Sequence, residues 1–323
     1  MNAFRISDNW TFRSLKDILT NPPPPTPPWI IEGMVAKNCP TLVSSQPHGM
    51  KSFSWLQAAI EAALGMPIWG HYPALNVTKT LFLETEDPPW LLDQRVVFIA
   101  NGSGINPDEI SDGGFYRGHL GAFDLVKAEE DIKKQLDLYK PEMCVLSTLQ
   151  GLLGGRDWKE QVDMYDVNAM IVRLSLEYCP MIVITHSPQD KKLKRAAGTI
   201  TQAANYPNIL HYDKCHSDSG SYSRVFLDSK LGQDGKFRIR LNKQSETSMR
   251  FQWECDVDTT ELKQFVYEHP QLSVADIALQ FDVSDRYVRR IKSAGTSSGT
   301  TFSEKRNKKR NSNGNGSAFI STI

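Results

Sequence analysis

"TLVSSQPHGMKSFSW", residues 41–55, decides how the rest of the chain is read. A β-prone run of Thr41, Leu42 and Val43 enters a turn of Ser45, Gln46, Pro47, His48 and Gly49. Lys51 and Ser52 follow, and then a helical pattern begins. The phosphate-binding loop pattern is G-x-x-x-x-G-K-[ST]. Lys51 and Ser52 fit it, but Ser45 stands at the first glycine and Met50 at the last, with Gly49 one position early. Such a loop works through backbone N–H groups, a helix N-terminus and one lysine. Its glycines let the chain approach the phosphates and take unusual φ values. The plain alternative is an ordinary turn between a strand and a helix, with a solvated lysine.

Outward from this stretch, short apolar runs without alternation mark strands buried on both faces, at 41–45, 79–84, 95–100, 142–147, 181–186 and 208–213. Helical patterns at 52–64, 124–139 and 158–178 lie between them. The alternation predicts an α/β fold: a mainly parallel sheet with helices on both faces. From 222 to 257, "SRVFLDSK", "KFRIRLN" and "RFQWECD" read as successive strands, with "GQDG" (232–235) turning between the first two. They predict an antiparallel extension of the same sheet.

Four segments follow from this reading. Residues 1–40 are an N-terminal arm whose "NPPPPTPP" (21–28) must be extended, a stiff connector or else a ligand for a proline-binding partner. Residues 41–257 are the main domain, and 258–293 a small all-α unit with helices at about 259–268, 274–281 and 285–293. Ser273 and Ser284 are the expected N-caps of the last two. The Gly-, Ser-, Asn- and Lys/Arg-rich tail, 294–323, is expected to be disordered.

Composition sets limits. The 323 residues have a formal net charge of zero, so any attraction to nucleic acid must be local. Five scattered cysteines without a C-x-x-C pair argue against a disulfide framework or a zinc site, and for a reducing cytoplasm. Cys215-His216 is the one adjacent soft pair, without further ligands at zinc spacing. No apolar run is long enough for a membrane span.

After the strand at 79–84 comes "LETEDPPWLLDQR", which puts Glu84, Glu86 and Asp87 at a strand end. Ligands in parallel sheets bind outside such ends, and an acid there can orient water toward a γ-phosphate. Acids at the start of a helix also simply suit its dipole. Together, "PWIIEGMV", "CPTLVSSQPHGMKSFSWLQAAIEAALGMPIWG", "KTLFLETEDPPWLLDQR" and "PEMCVLSTLQGLLGGRDWKEQVDMYDVNAMIVRLSLEYCPMIVITHSPQDKK" resemble the RepA-type branch of RecA-like P-loop ATPases, over about residues 10–214. That family consists of hexameric replicative helicases and related ATPases of plasmids, phages and other mobile elements. The resemblance implies a RecA-like fold, ATP and Mg²⁺ as ligands, and homo-oligomers, of six chains in the family's manner.

It also implies roles. Pro47, His48, Gly49, Met50, Lys51 and Ser52 form the nucleotide loop, and Ser52 ligates Mg²⁺. Glu86 activates water, with Asp87 its acidic neighbour, and His186 senses the γ-phosphate or DNA. A buried structural histidine is the rival reading of His186. Three departures accompany the match. Met50 replaces a loop glycine, and Ser147 stands where an aspartate normally holds the Mg²⁺ shell. The position of the arginine finger falls near Asn205-Tyr206, with only Lys194 and Arg195 nearby. A finger supplies about 10³–10⁵-fold in other phosphoryl-transfer enzymes.

"LSVADIALQFDVSDRYVRRIKS" resembles a helix-turn-helix, with Ile277, Ala278, Phe281, Val283, Val288 and Ile291 as its apolar set and Asp282 where glycine is usual. Its last helix offers Arg286, Tyr287, Arg289, Arg290 and Lys292 to DNA. A helical protein-interaction module with a basic solvated face is the alternative. "EKRNKKRN" (304–311) adds a flexible patch for phosphates. The expected activity is a DNA-directed ATPase of mobile-element replication. Its rival is a non-catalytic DNA-binding initiator or regulator with a degenerate ATPase domain. A small-molecule α/β enzyme has little support, since no Ser/His/Asp or metal motif appears.

Overall fold

The structure, a computed structural model, describes residues 13–24, 27–75, 77–110, 113–121, 123–157, 161–186, 205–217, 220–232, 234–255, 259–281, 288–289 and 291–292. After a short helix α1 (Leu15–Thr20), two small strands, β1 (Trp29–Ile31) and β2 (Val35–Ala36), pair antiparallel. The main sequence of elements is β3 (Thr41–Ser45), α2 (Lys51–Ala63), β4 (Thr80–Glu84), α3 (Pro89–Ser103), β5 (Phe115–His119), α4 (Glu129–Tyr139), β6 (Met143–Ser147), α5 (Gln161–Glu177) and β7 (Met181–His186). Four long strands follow: β8 (Asn208–Ser217), β9 (Gly220–Ser229), β10 (Gly235–Ser245) and β11 (Ser248–Cys255).

Strands β3 to β11 form one sheet in the order β11-β10-β9-β8-β3-β7-β6-β4-β5. From β8 to β5 every neighbouring pair is parallel. β9, β10 and β11 pair antiparallel. The expected α/β sheet with its antiparallel extension is therefore present. The apolar strand runs are explained by two cores. Val43, Phe82, Val145 and Ile184 point to one face, under Trp55, Leu56 and Ile60 of α2 and Leu92 and Ile99 of α3. Leu42, Leu83, Leu146 and Val183 point to the other, under Ile132 and Leu136 of α4 and Met170 and Leu174 of α5. Because successive side chains alternate sides, covering both faces requires an unbroken apolar run.

Three expectations are corrected. Residues 95–100 are the middle of helix α3, not a strand. Pro89 opens that helix and Gly104 closes it in the left-handed conformation, φ 67°. The strand beside β4 is β5, which the polar Arg117 and His119 and the small Gly118 had hidden. From the arm 1–40, Ile30, Ile31, Met34 and Val35 lie in the same core as α2. Helix α4 also starts at Glu129 rather than 124. Asp124 instead accepts the N–H groups of Val126 and Lys127, closing a turn.

The chain divides into two compact units, one reaching Cys255 with residues 216–220 excepted, the other holding those residues and everything after 255. In the second, α6 (Thr259–Glu268) and α7 (Val274–Gln280) bury Leu262, Val266, Ile277 and Ala278 with Val288 and Ile291. Ser273 caps α7: its Oγ accepts the Asp276 N–H at 3.0 Å and donates to Asp276 Oδ2 at 2.6 Å. Ser284 and the tail lie outside the described residues. Among the described residues no helix is long and apolar enough to cross a membrane, and no group of three or more His, Cys, Asp or Glu is placed to hold a metal. Cys39, Cys144, Cys179 and Cys215 are free thiols.

Candidate functional site

The site is built where four adjacent parallel strands end. Register places Ser45 of β3 opposite His186 of β7, and Glu84 of β4 opposite Ser147 of β6. In a parallel sheet all carboxyl ends lie on one edge, so these residues share one rim. β3 leads straight into the loop and α2, which brings Lys51 and Ser52 to the same rim.

The loop supplies what its missing glycines would have supplied, by other means. Met50 takes the left-handed conformation, φ 61°, ψ 7°, where the motif's last glycine stands, and His48 is also left-handed at φ 63°. For a side chain bearing Cβ this costs about 1–2 kcal/mol per residue, and Met50 offsets it by packing against the α2 core. At the other position Ser45 and Gly49 have exchanged roles. A Cβ on Gly49 would lie 2.3 Å from Ser45 Oγ and 2.6 Å from Ser45 Cβ. Bulk at 45 thus requires its absence at 49. Ser223 of β9 donates to the Gly49 carbonyl at 3.0 Å, so the antiparallel extension supports the loop from behind. No side chain caps the start of α2. Its first N–H groups are therefore the orphan donors that an anion satisfies.

The exchange gives a direct test. Gly49→Ala is expected to destabilise the protein by about 1–3 kcal/mol through overpacking, and Ser45→Gly in the same chain to restore most of it. Urea unfolding of the two single variants and the pair measures the coupling. Additive effects would show that the two residues do not share the space.

Lys51 is only 4% exposed. Its Nζ lies 3.0 Å from His186 Nδ1. Burial pushes the ammonium down to about 8, against the attraction of Glu86 and Glu84. An ammonium only donates, so His186 Nδ1 is the acceptor of this contact and Nε2 is the nitrogen left to donate. That nitrogen faces Glu86 Oε1 at 3.6 Å. Thr148 Oγ1 donates to the same oxygen at 2.5 Å. His186 most strongly, with Thr148 and Lys51 and against the cost of burial, holds the Glu86 carboxyl below its usual range. Glu86 is therefore an ionised, half-exposed base at the mouth of the site.

Deeper in, Ser147 is fully buried and its Oγ lies 3.0 Å from Ser52 Oγ. Glu84, 1% exposed, accepts the N–H groups of Thr85 and Glu86 at 3.0 Å each, and burial pushes its carboxyl up against those bonds. The peptide between Ser147 and Thr148 is cis. The oxygens at Ser52, Ser147 and Glu84 are hard donors of the kind Mg²⁺ takes, and Lys51 stands beside them for phosphate. The donor chemistry therefore fits Mg²⁺ and a triphosphate, with Ser52 as the protein ligand.

Not every expected residue joins this group. Asp87 pairs with Arg95 of α3, whose guanidinium also sits 5.6 Å from the centre of the Phe53 ring. That pair braces the turn after β4. Tyr206, where an arginine finger was sought, is 1% exposed and donates to Asn168 Oδ1 at 3.2 Å. It is a core residue. Lys194 and Arg195 lie outside the described residues, as do Arg286, Tyr287 and Arg290 of the basic helix. Arg289 is exposed. Lys292 donates to the carbonyls of Pro270 at 3.3 Å and Leu272 at 2.5 Å, tying down the turn before α7.

Sequence reasoning missed Thr148 and Gln150. Gln150 donates to Thr185 Oγ1 at 2.9 Å and accepts the His186 N–H at 3.4 Å, so it fixes the end of β7. Their signal was position alone: both follow β6 directly.

The search among curated proteins returned no match. A sequence profile described as the AAA domain matches residues 7–192, more than half of the chain and including β3, the loop, Glu86 and His186. The loop geometry and the profile agree, and the chain belongs to the AAA domain family of P-loop ATPases.

Proposed function

We propose that this protein is a Mg²⁺-dependent ATPase of the RepA-type, helicase-like branch, acting on DNA in the replication of a plasmid, phage or other mobile element. The observation that carries the catalytic part is the chain Lys51–His186–Glu86–Thr148 beside the paired Ser52 and Ser147 hydroxyls. Lys51 and the N–H groups of the loop bind and orient phosphate. Glu86 takes a proton from attacking water, and His186 links that carboxylate to the phosphate-binding lysine. Ser52 would hold Mg²⁺, which would supply charge neutralisation at the phosphate oxygens. The homo-oligomer, six chains in the family's manner, supplies the neighbour at which such sites are completed. The cytoplasm is the compartment this reading needs.

The DNA-directed part rests on the small C-terminal unit and the basic tail. Its apolar set is the one a helix-turn-helix requires, and Ser273 opens α7 as that motif asks. A second reading, a non-catalytic initiator or regulator, is favoured by one observation: Ser147 and Tyr206 stand where a carboxylate and an arginine would serve turnover. ATP hydrolysis by the full chain, with and without single-stranded DNA, separates them. Turnover that DNA stimulates supports the ATPase; saturable ATP binding without turnover supports the regulator.

DNA binding has its own check. Removing residues 294–323 takes away Lys305, Arg306, Lys308, Lys309 and Arg310. Each lost phosphate contact lowers the slope of log affinity against log salt by about 0.7–0.9. Fluorescence anisotropy with labelled oligonucleotides at several salt concentrations is expected to show a shallower slope and retained binding. An unchanged slope would take the tail out of the interface.

A further inference from the structure

We propose that Gln150 is a positioning residue of the ATPase site: its side-chain carboxamide takes the place of a strand peptide and holds the end of β7, so that His186 reaches Lys51 and Glu86 together. This rests on the ATPase reading and names a residue that acts through His186. The β6–β7 ladder ends at the pair Ser147–Ile184. β7 runs two residues further, with Thr185 and His186 still paired to Ser44 and Ser45 of β3 on its other side. On the β6 side the chain turns through a short 3₁₀ segment, Leu149–Leu152, which brings Gln150 to the end of β7. Gln150 Oε1 accepts the His186 N–H at 3.4 Å, and Nε2 donates to Thr185 Oγ1 at 2.9 Å. A backbone N–H only donates, so the amide oxygen must face it and the nitrogen is left for the threonine. A carboxamide carries the same kinds of acceptor and donor as a peptide unit, so it can continue a ladder whose strand has ended.

The turn that carries Gln150 is itself fixed. Leu149 and Leu152 are fully buried in the second core. A Cβ on Gly151 would lie 2.1 Å from Thr85 Oγ1, so the turn lies directly against the residue that precedes Glu86. Thr148 donates its N–H to Thr85 Oγ1 at 3.1 Å and its hydroxyl to Glu86 Oε1 at 2.5 Å. One short segment thus touches both halves of the site, with Thr148 on Glu86 and Gln150 on the backbone of His186. The His186 ring in turn spans from Lys51 Nζ, 3.0 Å from Nδ1, to Glu86 Oε1, 3.6 Å from Nε2. A ring held to two such contacts has little room to shift, and the end of β7 sets where it sits. A displacement of about 1 Å at a catalytic group can cost on the order of 10²-fold in rate. Gln150 resists that displacement.

The test separates positioning from binding and from folding. In the full-length protein Gln150→Ala is expected to lower kcat for ATP by about 10–100-fold, with KM within about threefold. Thr185→Val removes only the hydroxyl that anchors the amide and keeps the side chain's size. It is expected to lower kcat as well, and the double variant to fall no further than Gln150→Ala alone. Nuclear magnetic resonance of nucleotide-free protein labelled with ¹⁵N-histidine reads the placement directly. The His186 ring signals, identified by their loss in His186→Asn, are expected to shift in Gln150→Ala while those of the other histidines stay in place. Unchanged kcat beside a working wild type, or unmoved His186 signals, would overturn the proposal alone. So would a shift of all the histidine signals, which marks a merely structural side chain, or additive losses in the double variant, which mean that Gln150 does not act through Thr185. A wild-type chain without ATP turnover would overturn the ATPase reading itself, and the proposal with it.

Discussion

Glu86→Gln is expected to lower ATP turnover by about 10²–10⁴-fold, the range for losing a positioned general base. Glutamine keeps an oxygen for the Thr148 hydroxyl and for His186 Nε2, so the mouth of the site should hold its shape. It cannot take a proton from water. MgATP affinity is expected to stay within about threefold, the signature of an interaction made in the transition state alone. The rate–pH profile of the wild type adds a check. Glu86 is held below its usual range by His186 first, so it remains ionised through the mildly acidic region. Turnover should not lose its base until pH falls below the ordinary carboxylate range. Steady-state kinetics of both proteins decide the matter. Equal turnover in Glu86→Gln would remove this residue from the chemistry.

Lys51→Met is expected to have two opposite consequences. Nucleotide binding should fall by about 100-fold or more, since a buried charge-assisted contact to phosphate is lost, worth roughly 3 kcal/mol. The nucleotide-free protein should become more stable. Burial depresses the Lys51 ammonium from 10.5 to about 8, which corresponds to roughly 3 kcal/mol of unfavourable free energy carried by the folded state at neutral pH. Between pH 8 and 10.5 the unfolded chain holds a proton that the folded chain has released, so wild-type stability rises with pH across that window. Below 8 both states hold the proton, and the full cost is present. Methionine has no such charge. The variant should unfold at higher denaturant concentration at pH 7 and lack this rise at alkaline pH. Denaturant unfolding at pH 7, 9 and 10 measures both effects. A destabilised variant would mean that the ammonium's pairing with His186 outweighs its burial. The left-handed Met50 and this costly lysine together place a stability loss where the ligand is expected to bind.

Much of the fold was legible because its physics is local. β3, β4, β6 and β7 were found within a residue, since strands covered on both faces must be apolar throughout. The same rule misled at 95–100: Val96, Val97, Phe98 and Ile99 form an apolar run in a helix, and Val97 is exposed. The better evidence there was the pair Pro88-Pro89 and the glycine at 104, which bound a helix. β5 was missed because an edge strand needs no apolar run.

At the site, Lys51, Ser52, Glu86 and His186 were legible from motif and order, and the structure brings them to one rim. Two further facts were not legible: one depends on register between strands distant in sequence, the other on the path of the loop after β3. Glu84 faces Ser147 across 63 residues of intervening chain numbering, and Ser45 occupies the space that Gly49 leaves. Counting glycines against a pattern registers both as defects. Only the paired geometry turns one into an exchange of bulk and shows a buried acid on the strand beside the other.

Calorimetric titration of the full-length wild-type protein with ADP and Mg²⁺ tests the central claim most directly, namely that the loop from Ser45 to Ser52 holds nucleotide phosphates with Met50 in the left-handed conformation. The account predicts saturable binding at one site per chain, weakened by EDTA and abolished in Lys51→Met. Absence of binding heat at millimolar ADP, or binding that Lys51→Met leaves intact, would contradict it.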